Sequence, residues 1–129
     1  SLPLTIVFWV NQPNREEAIE MLRYLSDHVH EVVTGVCLTT REKSVSFSVA
    51  SAVSFAKLED DDIIYYVDKY RPFDKAGSYG IQEWIGYVGV EAINGSFYNV
   101  MGLPVQRLYQ ELKKVLSCHN SSISITLPV

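Results

Sequence analysis

Cysteine is scarce in this 129-residue chain: Cys37 and Cys118 are the only two, far apart, and no Cys-x-x-Cys occurs. That excludes a disulfide framework, and two free thiols in a reducing, cytoplasmic compartment are the expected state. A basic excess is missing too. The net charge of −4 has the wrong sign for a nucleic-acid groove, so no nucleic-acid partner is expected. No apolar run approaches the ~18–20 residues of a membrane span, so no membrane partner is expected either. The opening SLPLTIVFWV lacks a basic start and a small-residue cleavage site, and reads as a buried strand rather than a signal peptide. Gly-x-Gly-x-x-Gly, the P-loop and Gly-x-Ser-x-Gly are all absent, which removes the dinucleotide fold, the P-loop fold and the usual serine-hydrolase elbow. The three histidines show no metal-ligand spacing with the cysteines. His28 and His30 alternate along a strand start, so at most one of them faces inward.

What is present suits one domain, expected over residues 1–116 with a tail over 117–129. Such a length buries roughly two-thirds of the unfolded surface. Thr5 to Val10 is a continuous apolar run, the pattern of a strand covered on both faces. Asn14 then offers an N-cap, with Glu16 and Glu17 where a helix dipole favours acids. Ala18, Leu22 and Leu25, widened by Ile19 and Met21, give a helix to about Ser26 with one packed face. His30 to Thr40 reads as a strand and Arg41 to Lys43 as a turn. Ser44 to Ala56 alternates Val45, Phe47 and Val49 with serines, the half-buried signature of an antiparallel pair.

The dense acidic run Glu59 to Asp62 admits a metal-binding cluster. The favoured reading is the first turn of a helix completed by Ile63, Ile64, Val67 and Tyr70 and stopped by Pro72. After it come Ala76-Gly77 and Gly80, which mark tight turns or close backbone approach. Gln82, flanked by Ile81 and Trp84, is an amide in a setting suited to reading a base edge. Glu83 and Trp84 lead into IGYVGVEAI, read as a strand. Asn94-Gly95 reads as a type I′ hairpin turn returning the chain through SFYNVMG. Pro104 is expected at the first position of a helix whose stripe is Val105, Leu108, Leu112 and Val115. The tail admits an extra edge strand. The expected order is β-α-β-β-α-β-β-α, a mixed α/β fold with antiparallel neighbours in its sheet.

DKAGSYGIQ (Asp74–Gln82) followed by NGSFYNVMGLP (Asn94–Pro104) resembles, in order and spacing, the paired motifs of the Maf family of nucleoside triphosphate pyrophosphatases. Arg15 to Ala18 with Met21-Leu22, and His30 to Val36, resemble that family's central helix and the strand after it. The resemblance covers roughly Asn11 to Leu116, with weaker agreement back to Thr5. It implies a Maf- and inosine-triphosphatase-like α/β fold with a partly antiparallel sheet flanked by helices. It also implies a cytoplasmic, dimeric enzyme that uses a divalent cation, Mg²⁺ or Mn²⁺. The reaction implied is cleavage of a nucleoside triphosphate to the monophosphate and pyrophosphate. Gln82 and Thr5 fit the branch acting on dTTP and UTP, while the branch acting on methylated GTP carries Glu at the Gln82 position. A structural amide closing the glycine turn, and a plain β-branched strand residue, are the competing readings. Lys75 is a candidate phosphate contact or a partner of Asp74 or of a helix end.

The chain departs from the family pattern at its start. The Ser-x-Ser-Pro-Arg-Arg loop has no counterpart, since neither Ser-Pro nor Arg-Arg occurs. Pro3-Leu4-Thr5 stands where the family has Ala-Asp-Thr, so Leu4 occupies the position of the catalytic carboxylate. Asn11-Gln12-Pro13 replaces Gly-Lys-Pro and loses the lysine. The expectation is a fold lacking its N-terminal elements, through a truncated or frame-shifted gene or an omitted segment. No catalytic and no metal-ligating residue is assigned, and pyrophosphatase activity is expected to be negligible. An unpaired sheet edge is expected to favour self-association, through Thr5 to Val10 or the ISITLPV run.

Overall fold

The computed structural model describes residues 4–5, 14–39, 44–75, 77–116 and 124–126. Among the described residues the elements follow in the order β1 (Leu4–Thr5), α1 (Arg15–Leu25), β2 (Val29–Thr39), β3 (Ser44–Phe55), α2 (Asp60–Tyr70), α3 (Trp84–Gly89), β4 (Val90–Asn94), α4 (Phe97–Met101), α5 (Val105–Leu116) and β5 (Ser124–Thr126). The strands form one mixed α/β arrangement with the order β1-β2-β3-β4, and β5 also pairs with β2. β1 runs parallel to β2, placing Leu4 opposite Val29 and Thr5 opposite His30. β3 pairs antiparallel with β4, and β2 antiparallel with β5. Both Leu4–Thr5 and Ser124–Thr126 therefore pair with β2 of their own chain.

The chain divides into two units, Ser1–Glu31 with Ala52–Asn94, and Val32–Ser51 with Gly95–Val129. In the first, α1 starts where the sequence predicts: the Asn14 side chain accepts the Glu17 N–H at 2.9 Å. Ala18, Ile19, Leu22 and Leu25 are buried, and α1 packs on α2. Across that seam Arg15 pairs with Asp68 at 2.6 Å and Arg23 with Asp60 at 3.1 Å. α2 buries Ile63, Tyr66 and Val67. Ile64 and Tyr70, expected to complete the helix with Ile63 and Val67, lie within α2 and are half-buried, and Tyr66 joins the buried face three residues after Ile63.

In the second unit, Val36 and Leu38 from β2 and Leu108 and Val115 from α5 form the core, with Val45, Phe47, Leu103 and Leu112 packed against it. Val105, expected on the buried stripe, is 42% exposed. Pro104 stands one residue before α5 and its carbonyl accepts the Leu108 N–H at 2.9 Å. Glu111 is buried and held by Arg107 at 3.0 Å, whose guanidinium also lies over the Phe47 ring.

Two expectations fail between Trp84 and Met101. IGYVGVEAI is not one strand: Trp84–Gly89 is helical and only Val90–Asn94 extends. Nor does Asn94-Gly95 turn a hairpin. Gly95, at φ 125°, swings the chain out of β4. The Ser96 side chain then accepts the Asn99 N–H at 3.1 Å and caps α4, where a returning strand was expected. The remainder of the predicted strand Thr5 to Val10 lies outside the described residues, as do Cys118 and the Arg41–Lys43 turn.

Candidate functional site

Proline has no N–H to continue a helix, and ahead of Pro72 Arg71 leaves α2 in the left-handed conformation, φ 47°. The chain then folds back twice. The Lys75 N–H donates to the Pro72 carbonyl at 3.3 Å and the Ser78 N–H to the Lys75 carbonyl at 3.1 Å. Gly77 at φ 73° and Ser78 at φ 65° are both left-handed. Glycine adopts that geometry freely; a buried serine is held in it by its surroundings.

Tyr79 supplies the first hold. Its hydroxyl and His30 Nε2 share a hydrogen bond at 2.7 Å. Its ring stands edge-on to His30 and to Phe55, with centroids 5.6 and 5.0 Å apart, and His30 stacks on Phe55 at 5.3 Å. β2 contributes His30 and β3 contributes Phe55, so one tyrosine ties the loop to two strands. Burial pushes the His30 pKa down to about 4 and the Tyr79 hydroxyl up, which leaves both neutral at pH 7.

That shift carries a pH prediction. Between pH 6.5 and 4 the unfolded chain binds a proton at His30 and the folded chain does not, so stability falls as pH falls through this window. The effect is on the order of 3 kcal/mol from the linkage relation. Urea unfolding at pH 7.5 and 4.5 should show that His30→Gln loses less stability on acidification than the unsubstituted chain. Equal losses in the two proteins would contradict the assignment.

Tyr66 supplies the second hold. It is fully buried on α2, and its hydroxyl accepts the Gly80 N–H at 3.0 Å and donates to Glu83 Oε1 at 2.7 Å. Burial, then the bond to Glu83, pushes the Tyr66 hydroxyl above its ordinary pKa, so it stays protonated and remains a donor. A Cβ on Gly80 would strike the Glu83 carboxylate, so glycine is what leaves room for this bridge. The Glu83 N–H donates to the Gly80 carbonyl at 3.0 Å, closing a four-residue turn with Ile81 and Gln82 at its centre. Ile81 is buried and Gln82 is exposed.

Of the residues singled out from sequence, Gln82 stands outward on this turn, and Lys75 sits half-buried at the loop's other end. Thr5 lies opposite His30 in β1, beside the residue that holds Tyr79, and its side chain is outside the described residues. Leu4 occupies β1 next to it. The acidic run is a helix start: Asp60 to Asp62 form the first turn of α2, and Asp60 is paired with Arg23. Among the described residues no three His, Cys, Asp or Glu side chains are grouped to hold a metal. No step is assigned to the divalent cation that the resemblance implies. Sequence reading missed His30, Tyr66 and Glu83. The visible signal was the spacing of Tyr66 from Ile63; nothing local marks Glu83 as its partner.

A family model described as Maf-like protein matches residues 5–115. A dTTP/UTP pyrophosphatase of Parabacteroides distasonis is 76% identical over 100 residues, 78% of this chain and 52% of that protein. Proteins of the same name from Bacteroides fragilis and Cytophaga hutchinsonii are 63% and 52% identical over 101 and 108 residues. Those alignments take in 78% and 83% of this chain and 52% and 50% of the relatives. The chain spans about half the length of the curated relatives it matches.

Proposed function

Because the chain belongs to the Maf-like protein family, we propose that Asp74–Glu83 is the base-reading loop of a pyrimidine nucleoside triphosphate site. The observation that carries this reading is an exposed amide, Gln82, at the centre of a turn whose flanks are anchored by buried Tyr79 and Tyr66. Uracil and thymine present an N–H donor between two carbonyl acceptors. A glutamine answers that pattern, accepting through Oε1 and donating through Nε2. A glutamate only accepts, which suits the paired donors of guanine instead. Lys75 serves the phosphates, and Thr5 contributes beside His30. The relatives' name supplies dTTP and UTP as the candidate ligands.

The family reaction would join water to the α-phosphorus and break its bond to the bridging oxygen, releasing pyrophosphate. That step needs a group to take the water's proton. Leu4 stands at the position of the family's carboxylate and cannot do so, and Gln12 lacks the charge of the lysine it replaces. This chain therefore binds a nucleotide and turns it over negligibly, in the cytosol and as a self-associated species. Incubation with UTP, dTTP and Mg²⁺ should release no pyrophosphate beyond the uncatalysed background. Titration with an α,β-methylene UTP analogue should show binding that Gln82→Glu weakens about tenfold, the scale of one mismatched hydrogen bond. Multiple turnovers of UTP, or equal affinity in the Gln82→Glu variant, would overturn the reading. A chain that only self-associates would give no heat with any nucleotide.

A further inference from the structure

Resting on that reading of Gln82, we propose that Tyr66 and Glu83 are positioning residues that set the base preference of this loop. Gln82 is the third residue of the Gly80–Glu83 turn, and the residues at both ends of that turn bind one hydroxyl. Tyr66 accepts from the Gly80 N–H at 3.0 Å and donates to Glu83 Oε1 at 2.7 Å. The backbone bond from Glu83 to Gly80 closes the same ring at 3.0 Å. The direction of the Gln82 Cα–Cβ bond is thus fixed from α2. Burial of Ile81 already attaches the turn to the unit. What the polar bridge adds is its rotation, because a hydroxyl with one donor and one acceptor partner has little angular freedom. An exposed side chain discriminates between bases only if its amide plane arrives in register, and a loss of about 1 Å there is enough to matter.

The experiment titrates the full chain with α,β-methylene UTP and α,β-methylene GTP by calorimetry. Tyr66→Phe and Glu83→Ala should each shrink the preference for the uridine analogue by about tenfold. Glu83→Gln keeps an oxygen that accepts from Tyr66, so it should hold the preference to within about twofold, a rescue that a role in folding alone does not predict. Glu83 lies on a half-exposed turn, so the Ala and Gln variants decide the matter if Tyr66→Phe fails to fold. An unchanged preference in Glu83→Ala, or a loss in Glu83→Gln equal to that in Glu83→Ala, overturns the proposal while the nucleotide reading stands. No binding of either analogue by the unsubstituted chain overturns both.

Discussion

Replacing Asn99 by aspartate is expected to cost about 3–5 kcal/mol of stability, the range for a buried polar group turned into an uncompensated charge. Asn99 is fully buried, and its Nδ2 donates to the Val32 carbonyl at 3.1 Å, the Val49 carbonyl at 3.0 Å and Ser51 Oγ at 3.0 Å. Carbonyl oxygens only accept, so the orientation of the amide is fixed chemically. Ser51 in turn donates to the Ser96 carbonyl at 3.1 Å, which leaves its lone pair for Asn99. The amide oxygen has no hydrogen-bond partner among the described residues. The residue is there for its N–H₂ group. Aspartate has the same shape and no such donor, and it turns a carboxylate toward two carbonyls. Its pKa would rise above the unfolded value, so the variant should recover stability as pH falls toward 4. Urea unfolding at pH 7.5 and 4.5 measures both effects. A variant within about 1 kcal/mol of the parent at pH 7.5 would show that these bonds matter little.

Gly86→Ala should be nearly as damaging, at about 3 kcal/mol, the upper range for forced overpacking. A Cβ at this position would overlap the Ile81 carbonyl oxygen. Neither side can yield cheaply. The Gly86 N–H donates to the Glu83 carbonyl at 2.9 Å, and the Gly80–Glu83 turn is closed by its own bond at 3.0 Å. Relief requires α3 to lift or the turn to move, and the second displaces Gln82. The variant should therefore lose nucleotide affinity along with stability. Gly35 is the control: nothing lies within 4 Å of a Cβ built there. Gly35→Ala in β2 should change stability by no more than about 0.5 kcal/mol, and toward greater stability through the unfolded chain. Equal behaviour of the two alanine variants would mean that the close approach at Gly86 is not a constraint.

Much of the fold was legible because local chemistry and burial agree. Asn14 is where a cap was wanted and caps. Ala18, Leu22 and Leu25 recur at helix spacing and are buried. The alternation from Val45 continues through Ser51, Val53 and Phe55 on one face of β3, as period two requires. The failures have physical reasons. In IGYVGVEAI the alternation of Ile85, Tyr87 and Gly89 satisfies a strand pattern. Gly86, however, lets a helix approach the Ile81 carbonyl more closely than any other residue would allow. Asn94-Gly95 carries a hairpin's sequence, but Ser96 three residues before Asn99 is also a helix cap, and Asn99 finds its partners on β2 and β3. Tertiary partners chose between two locally valid readings. The site was half legible for the same reason. Gln82 and the glycines announce themselves in the sequence, whereas Tyr66, His30 and Glu83 acquire their roles only from what the fold brings against them.

A ¹⁵N NMR titration of the chain with α,β-methylene UTP tests most directly whether this loop binds the base. Saturable, one-to-one shifts are expected at the backbone of Lys75 and Gly77–Glu83 and at the Gln82 side-chain amide. Saturation with the Gln82 amide and this loop unshifted would contradict this reading, as would no shift anywhere.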